Sequence, residues 1–282
     1  MTSITPQFGG ETAVMYQKLF EQHAQPGGPW KAIRDVVERV LGPKLEGEVL
    51  DIASGPGEPA VSTARLFPKV NVTCTDIAQD MVDKARVRGN GLQNIRFELV
   101  DAQDLSMFAD NSFDVVTCCY GFMFCPDKQR AFTEVGRVLK PGGTLVTTYW
   151  RNVVIMKVSR AAMEAVLGAP PPTPDLNPNS LSEPGLVENY LTEAGFDAAT
   201  YELSESEYPM ALEEQQFARK AALLPVWQKL LEMDAQDKDK DVLELAMSAA
   251  DKFFVEHGWI NPDGSVTCPG NRFAMIVARV PN

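Results

Sequence analysis

Between about residues 30 and 150 the apolar positions follow two alternating rhythms. In "WKAIRDVVERVL", Ile33, Val36, Val37, Val40 and Leu41 share one helical face, and Gly42-Pro43 ends the run. "GEVLDIA" is a short strand that runs into a glycine loop, and "EPAVSTARLFP" reads as a helix opened by that loop and closed by Pro68. A strand "KVNVTCTD", a helix "AQDMVDKARVRG", strands "IRFELVDA" and "FDVVTCCY", a helix "DKQRAFTEVGRVL", the turn "KPGG" and a strand "TLVTTYW" follow. Strands alternating with helices predict an α/β fold, a doubly wound parallel sheet whose right-handed crossovers bring the strand C-termini to one edge.

Past Trp150 the rhythm changes. "GAPPPTPDLNPNSLSEPG" is proline-rich and reads as a loop or the edge of a lid, after which the helix "PGLVENYLTEAGF" and the strand "AATYELSESEY" return to the sheet. Two helices, "ALEEQQFARKAALLPVWQKLLEMD" and "KDVLELAMSAADKFFVEHGW", precede a final strand "RFAMIVARV". A block of that length is too long for a simple connection. The expected organisation is an N-terminal lid segment over 1–29, a core over 30–209, a helical insertion over the active site at 210–262, and the core's final strands at 263–282.

Composition narrows the function. A chain of 282 residues that is 45% hydrophobic can bury a full core, and a net charge of −12 leaves no basic footprint for DNA or RNA. No apolar run is long enough to cross a bilayer, and the N-terminus has neither a basic start nor a continuous apolar stretch, so a soluble, cytoplasmic protein is expected. Cys74, Cys118, Cys119, Cys125 and Cys268 are odd in number and lack metal-ligand spacing, which indicates neither a disulfide framework nor a metal site. The expected partner is a small molecule, without nucleic acid or membrane; a homodimer stays open.

"VLDIASGPGEPA" carries the candidate chemistry. Gly55, Gly57 and Ala60 fit a G-x-G-x-x-G/A loop that lets the backbone approach a nucleotide. Asp76, about 20 positions on at the end of the second strand, suits ribose hydroxyls in either a dinucleotide or S-adenosylmethionine (SAM). Asp51 separates the two, because a carboxylate there opposes a pyrophosphate and suits a cofactor bearing an amine and a sulfonium. In "LVDAQDL", Asp101 can accept from an adenine amino group beside the Ala102 N–H, while Ile77 and Met81 supply apolar walls.

"VLDIASGPG", "CTDIAQDMVDKA", "ELVDAQDL", "FDVVTCCYGF" and "GRVLKPGGTL" together resemble the class I SAM-dependent methyltransferase family, closest to its ubiquinone/menaquinone C-methyltransferase branch. The resemblance covers roughly residues 30 to 150. It implies a Rossmann-like sheet of seven strands whose last strand is antiparallel, with SAM across the strand C-termini. It implies cofactor contacts from Ala53, Ser54, Gly55, Gly57 and Cys119, and an N-terminal segment carrying Tyr16 and His23 that closes over SAM. Ala53 stands where a first glycine is common. Phe122-Met123-Phe124 replaces the branch's Leu-Arg-Asn run, which puts a quinone precursor in doubt, and the 210–260 helices exceed what compact quinone enzymes need.

Methyl transfer is an in-line displacement in which alignment dominates, so a base is needed only where the acceptor must lose a proton. His23, His257 and Tyr120 are the catalytic candidates, with Tyr16, Tyr149 and Tyr208 comparable hydrogen-bonding groups. Aromatic residues at the mouth, among them Tyr120, Phe122, Phe124, Tyr149 and Trp150, suit flat apolar acceptors and also cations. The leading expectation is a SAM-dependent methyltransferase acting on a small molecule, with O- or C-methylation of an aromatic or polyketide-like compound ahead of S- or N-methylation of a small metabolite. A SAM-binding regulatory or partner subunit without turnover, and a nicotinamide-dependent oxidoreductase, are the alternatives.

Overall fold

In a computed structural model, which describes residues 21–24, 27–172, 177–212, 214–237 and 239–282, the strand and helix alternation is present throughout the predicted α/β region. The strands are β1 (Gly47–Asp51), β2 (Val70–Asp76), β3 (Ile95–Leu99), β4 (Phe113–Cys119), β5 (Leu139–Asn152), β6 (Asp197–Glu207), β7 (Met210–Leu212), β8 (Val266–Cys268) and β9 (Arg272–Arg279). The helices are α1 (Pro29–Leu41), α2 (Ala60–Leu66), α3 (Gln79–Arg88), α4 (Lys128–Val138), α5 (Ile155–Leu167), α6 (Leu186–Glu193), α7 (Gln215–Leu223), α8 (Trp227–Gln236) and α9 (Val242–Glu256). They fall into two compact units. One holds the described parts of 24–151, 177–206 and 273–282; the other holds those of 21–23, 152–172 and 207–272.

The first unit is built on a seven-stranded sheet of order β3-β2-β1-β4-β5-β9-β6. Val49 of β1 pairs in parallel with Val72 of β2 and with Val115 of β4, so the chain's direction of growth across the sheet reverses between β1 and β4. The β9 strand is antiparallel: Gly142 N–H donates to the Pro281 carbonyl at 3.0 Å, and Val280 N–H to the Gly143 carbonyl at 3.1 Å. The helical stripe read on α1 is buried through Ile33, Val36 and Val37, with Val40 and Leu41 packed at its margin, and Gly42 at φ 64° ends it. The "KPGG" turn is absorbed into the start of β5, where the register against β4 shifts between Phe113 and Val115.

Helix α4 fastens the loop that follows β3. Its first turn is capped by Asp127, whose Oδ1 accepts from Arg130 N–H at 3.0 Å. Farther along, Glu134 Oε2 accepts from Leu105 N–H at 2.8 Å, and Arg137 donates to the carbonyls of Leu105 and Phe108 and to the carboxylates of Asp110 and Glu134. One planar guanidinium thus holds residues 105–110 against the helix.

The second unit is mostly helical. Ala162 and Met163 of α5 pack with Leu223, Trp227, Leu230 and Ala246. The long helix expected over 211–234 is two helices, because Pro225 interrupts the hydrogen-bond ladder and Leu224–Val226 forms a 3-10 turn. Helix α5 was not expected. It carries Ile155, Val158, Ala162 and Val166 at helical spacing, and it extends this unit beyond the predicted 210–262 insertion. Strands β7 and β8 pair antiparallel, Leu212 opposite Val266. Among the described residues no helix is long and apolar enough to cross a membrane.

Lysine carries the charge of arginine without its fork. Arg137→Lys is therefore expected to lower the unfolding free energy by roughly 1–2 kcal/mol. Urea denaturation followed by circular dichroism checks this, and a midpoint equal to wild type would show that the hub is dispensable.

Candidate functional site

The glycine loop leaves β1 through a run of left-handed residues: Ala53 at φ 53°, Gly55 at 54° and Gly57 at 102°. Ser54 pins the turn, its N–H donating to the Thr75 carbonyl at 2.8 Å and its hydroxyl to the Asp51 carbonyl at 3.0 Å. A left-handed alanine costs about 1–2 kcal/mol relative to the right-handed region. The chain nonetheless turns at Ala53, and the accommodation lies on the neighbouring strand. A Cβ placed on Gly121, just past β4, would come within 2.6 Å of both Ala53 Cβ and Cys118 Sγ, so Ala53 occupies space that Gly121 leaves open. Gly57 serves packing, since a Cβ there would meet Ala85 of α3 and Val61 of α2 at 3.0 Å.

Three carboxyl groups stand where β1, β2 and β3 end. Asp51 is fully buried; its Oδ1 accepts from the Thr117 hydroxyl at 2.5 Å, and its Oδ2 has no partner at hydrogen-bond geometry among the described residues. Burial pushes this carboxyl up to about 7, with the Ser54 and Thr117 hydroxyls pulling the other way. Asp76 uses both oxygens to join two loops: Oδ2 accepts from Gly55 N–H at 2.8 Å and Oδ1 from Ala78 N–H at 2.9 Å. Burial also raises its pKa, against those backbone donors. Asp101 closes a turn on Gln103, its Oδ1 accepting from Gln103 N–H at 2.9 Å and both oxygens from Gln103 Nε2 at 3.1 and 3.2 Å. Among the described residues no lysine or arginine hydrogen-bonds any of the three.

Apolar surface lies beside these acids. Ile77 is 59% exposed, an unusual state for an isoleucine next to a mostly buried carboxylate, and Met81 and Ala102 are half-buried. Cys119 is half-buried at the end of β4; its Sγ accepts from the Thr148 hydroxyl at 3.4 Å, and burial pushes the thiol up to about 12, so it stays protonated.

Tyr120 sits one residue farther in a left-handed conformation, φ 57°. Its ring stacks on Trp150 at a centroid distance of 4.4 Å and an interplanar angle of 2°, and Phe273 meets it edge-on at 6.2 Å. Strained backbone of this kind at a strand's C-terminal end is a feature of binding sites. Of the other aromatics expected at the mouth, Phe122 is buried against Phe132, Tyr149 is buried with Arg151 over its ring, and Phe124 is 45% exposed.

Asp51, Ala53, Ser54, Gly55, Gly57, Asp76, Ile77, Met81, Asp101, Ala102, Cys119 and Tyr120 thus share one unit and cluster about the ends of its parallel strands. His23 and His257 belong to the other unit. His23 is buried, its Nδ1 3.1 Å from the Tyr208 hydroxyl, and burial lowers its pKa to about 3, so the ring is neutral. His257 lies exposed at the end of α9, where its Nδ1–H donates to the Phe253 carbonyl at 2.8 Å and its ring stacks on Phe253. Tyr16 lies outside the described residues. Sequence reasoning missed Thr117 and Gly121. Thr117 had a signal, a lone hydroxyl inside an apolar strand; the role of Gly121 depends on Ala53 and carried none.

A family profile described as a methyltransferase domain matches residues 50–147. The demethylmenaquinone methyltransferase of Deinococcus radiodurans is 41% identical over 99 residues, which are 35% of this chain and 41% of that protein. The ubiquinone/menaquinone biosynthesis C-methyltransferase of Desulfotalea psychrophila is 41% identical over 100 residues, 36% of this chain and 40% of that one. The chain therefore spans well under half the length of these curated relatives. In fold it is similar to a solved putative methyltransferase from Bacillus halodurans, with a TM-score of 0.54, 22% identity, and coverage of 88% of this chain and 99% of that one. It is also similar to phosphoethanolamine N-methyltransferase 2 of Haemonchus contortus, solved with S-adenosyl-L-methionine, with a TM-score of 0.55, 18% identity, and coverage of 95% and 56%.

Two measurements probe this geometry. Gly121→Ala should cost about 1–3 kcal/mol by overpacking, and adding Ala53→Gly should recover part of that loss by removing one of the two close contacts. Strictly additive urea midpoints would mean the two sites do not share space. Asp51 has a folded-state pKa raised to about 7 against an ordinary carboxylate in the unfolded chain, so its contribution to stability is full below about pH 4 and is lost as pH rises through about 7. The stability of wild type minus that of Asp51→Asn should therefore fall from pH 4 to pH 7. A difference independent of pH would place the carboxyl in contact with water.

Proposed function

We propose, for a chain that belongs through its residues 50–147 to the class I SAM-dependent methyltransferase family, that it transfers a methyl group from S-adenosylmethionine to a small-molecule acceptor. The observation that carries the reading is the set of Asp51, Asp76 and Asp101 at three strand ends, where among the described residues no basic side chain bonds any of them and one buried oxygen of Asp51 has no donor. Such a set suits a ligand with an amine and a sulfonium and opposes a pyrophosphate.

In this reading Asp76 accepts from ribose hydroxyls with the lone pairs that Gly55 and Ala78 leave free, Ile77 and Met81 face the adenine, and Asp101 with Ala102 reads its amino edge. Ala53, Ser54, Gly55 and Gly57 shape the floor beneath the amino-acid end, and Cys119 lines it as a neutral thiol. Bound there, SAM would supply a methyl group already activated on sulfur. The protein's part is to align the acceptor, a contribution on the order of 7–11 kcal/mol in well-oriented reactions.

For the acceptor we favour a flat conjugated molecule undergoing O- or C-methylation, ahead of S- or N-methylation, and we assign Tyr120 with Trp150 as its wall. The parallel stack of those two rings and the exposed face of Phe124 support this. The relatives' names point to quinones, but where that branch carries Leu-Arg-Asn, Phe122 and Met123 here are core residues and only Phe124 reaches solvent. We assign the lid roles to residues 1–29, including Tyr16, and 210–262. Of the proposed bases, His23 is held neutral by burial but with a pKa too depressed to retain an abstracted proton, whereas the Nδ1–H bond of His257 to the Phe253 carbonyl leaves its Nε2 as the nitrogen that could accept one. A cytoplasmic setting accords with five free thiols, and a homodimer completes the proposal.

Calorimetric titration tests the reading. S-adenosylhomocysteine should bind at micromolar concentration, NADH should not, and Asp76→Ala should weaken the former by about tenfold or more. Binding of NADH alone would overturn the assignment. Tight cofactor binding with no labelled product from a broad metabolite extract would identify a SAM-binding subunit without turnover.

A further inference from the structure

Residues 101–110 connect β3 to β4, and α4 holds them at several points; among the described residues, Gln103 supplies the side-chain hydrogen bonds to the Asp101 carboxylate. Gln103 Nε2 donates to both carboxylate oxygens, at 3.1 and 3.2 Å, and the Gln103 N–H donates to Oδ1 at 2.9 Å. The other end of the same amide faces the helix: Gln103 Oε1 accepts from Asp127 N–H at 2.7 Å. The Gln103 carbonyl in turn accepts from Arg130 Nε at 2.7 Å, and Asp127 itself caps α4 through Arg130 N–H. These partners fix which way the amide points, since its nitrogen must face the acceptor-only carboxylate and its oxygen must face a backbone donor.

We propose that Gln103 is a positioning residue for nucleobase recognition: it locks the Asp101 carboxylate in the orientation that accepts the adenine amino group, and it ties that orientation to the first turn of α4. The inference rests on the reading of this site as one for S-adenosylmethionine. A carboxylate on a short loop can rotate about two bonds, and ordering it only on binding costs affinity. Here the intra-turn bond and the bifurcated amide bond settle the rotamer beforehand, occupying both lone pairs of Oδ1 and leaving one on Oδ2 for the ligand. Glu134 and Arg137 anchor the same loop from Leu105 onward without touching Asp101, so loop stability and carboxylate orientation are held by different side chains.

The test compares S-adenosylhomocysteine with S-inosylhomocysteine, in which a carbonyl replaces the amino group and presents an acceptor to an acceptor. Calorimetry on the full chain gives the affinity ratio for wild type, Gln103→Glu, Gln103→Met and Arg137→Lys. Gln103→Glu keeps an acceptor for Asp127 N–H but sets a like charge against Asp101; Gln103→Met removes both contacts at similar volume. The expected result is a loss of about tenfold in S-adenosylhomocysteine affinity for Gln103→Glu, as for a hydrogen bond to a charged group, with the inosyl ligand changed less than twofold. The preference ratio should therefore shrink in both Gln103 variants and stay at the wild-type value in Arg137→Lys, although that variant is less stable. Parallel losses for both ligands, an unchanged ratio, or an equal shrinkage in Arg137→Lys would overturn the positioning role. Wild type that binds neither ligand would overturn the site reading itself, a result distinct from wild type that binds S-adenosylhomocysteine while the Gln103 variants keep its preference.

Discussion

A carboxyl group without solvent exposure joins β1 to β4 through the Thr117 hydroxyl, at the point where the sheet's order reverses. Isolated ionised carboxylates are costly to bury, and one remedy is to hold the proton. Asp51 does so up to about neutral pH, which avoids an unpaired buried anion beside the glycine loop. A cation brought to the loop reverses the preference, since it favours the charged form. The same group that would weaken the sheet as an unpaired anion would, in the proposed methyl transfer, favour a positively charged ligand there. Around it, Asp51 carbonyl bonds to Ser54 and Thr75 hold the glycine loop to β2, and Asp76 completes the tie through Gly55.

Most of the sheet unit was legible because its signals are local. Helical stripes such as Ile33-Val36-Val37, β-branched strands and the Gly42-Pro43 stop act within a few residues, and the strand-end acids fall at spacings that a parallel sheet imposes. The helical unit was less legible. Helix α5 follows β5 with only Val153-Val154 between them, so the apolar run lacks the turn residues that would separate strand from helix. Pro225 was in plain view, but the apolar positions on both sides of it keep one phase and suggest a continuous helix. At the site, Ala53 was readable as an unusual residue, whereas its complement Gly121 lies on another strand's exit and is visible only once β1 and β4 are side by side.

The methyltransferase-domain profile covers about the stretch from β1 to β5, and that stretch holds every residue proposed here for the cofactor except Tyr16. Outside it lie the residues before β1, those after Trp150 and the helical unit, to which the proposed function gives the choice of acceptor. A cofactor site can be common to many acceptors because the methyl group arrives activated, and only alignment has to change. The division explains why chemistry is readable at this identity while substrate is not.

Alignment also gives meaning to the backbone at Tyr120. A residue at φ 57° with a large ring is costly, and the surroundings must over-determine it. They do: Gly121 yields space to Ala53 on one side, and Trp150 and Phe273 hold the ring on the other. The glycine loop and the Tyr120–Trp150 stack are therefore not independent, since Tyr120 and Gly121, which follow β4 directly, take part in both. A change that lets Tyr120 relax would shift that stack relative to the glycine loop. In an in-line displacement, misplacement by an ångström costs about 10²-fold in rate. Under the proposed methyl transfer, the strain at Tyr120 would be the means by which one strand end sets the distance between donor and acceptor.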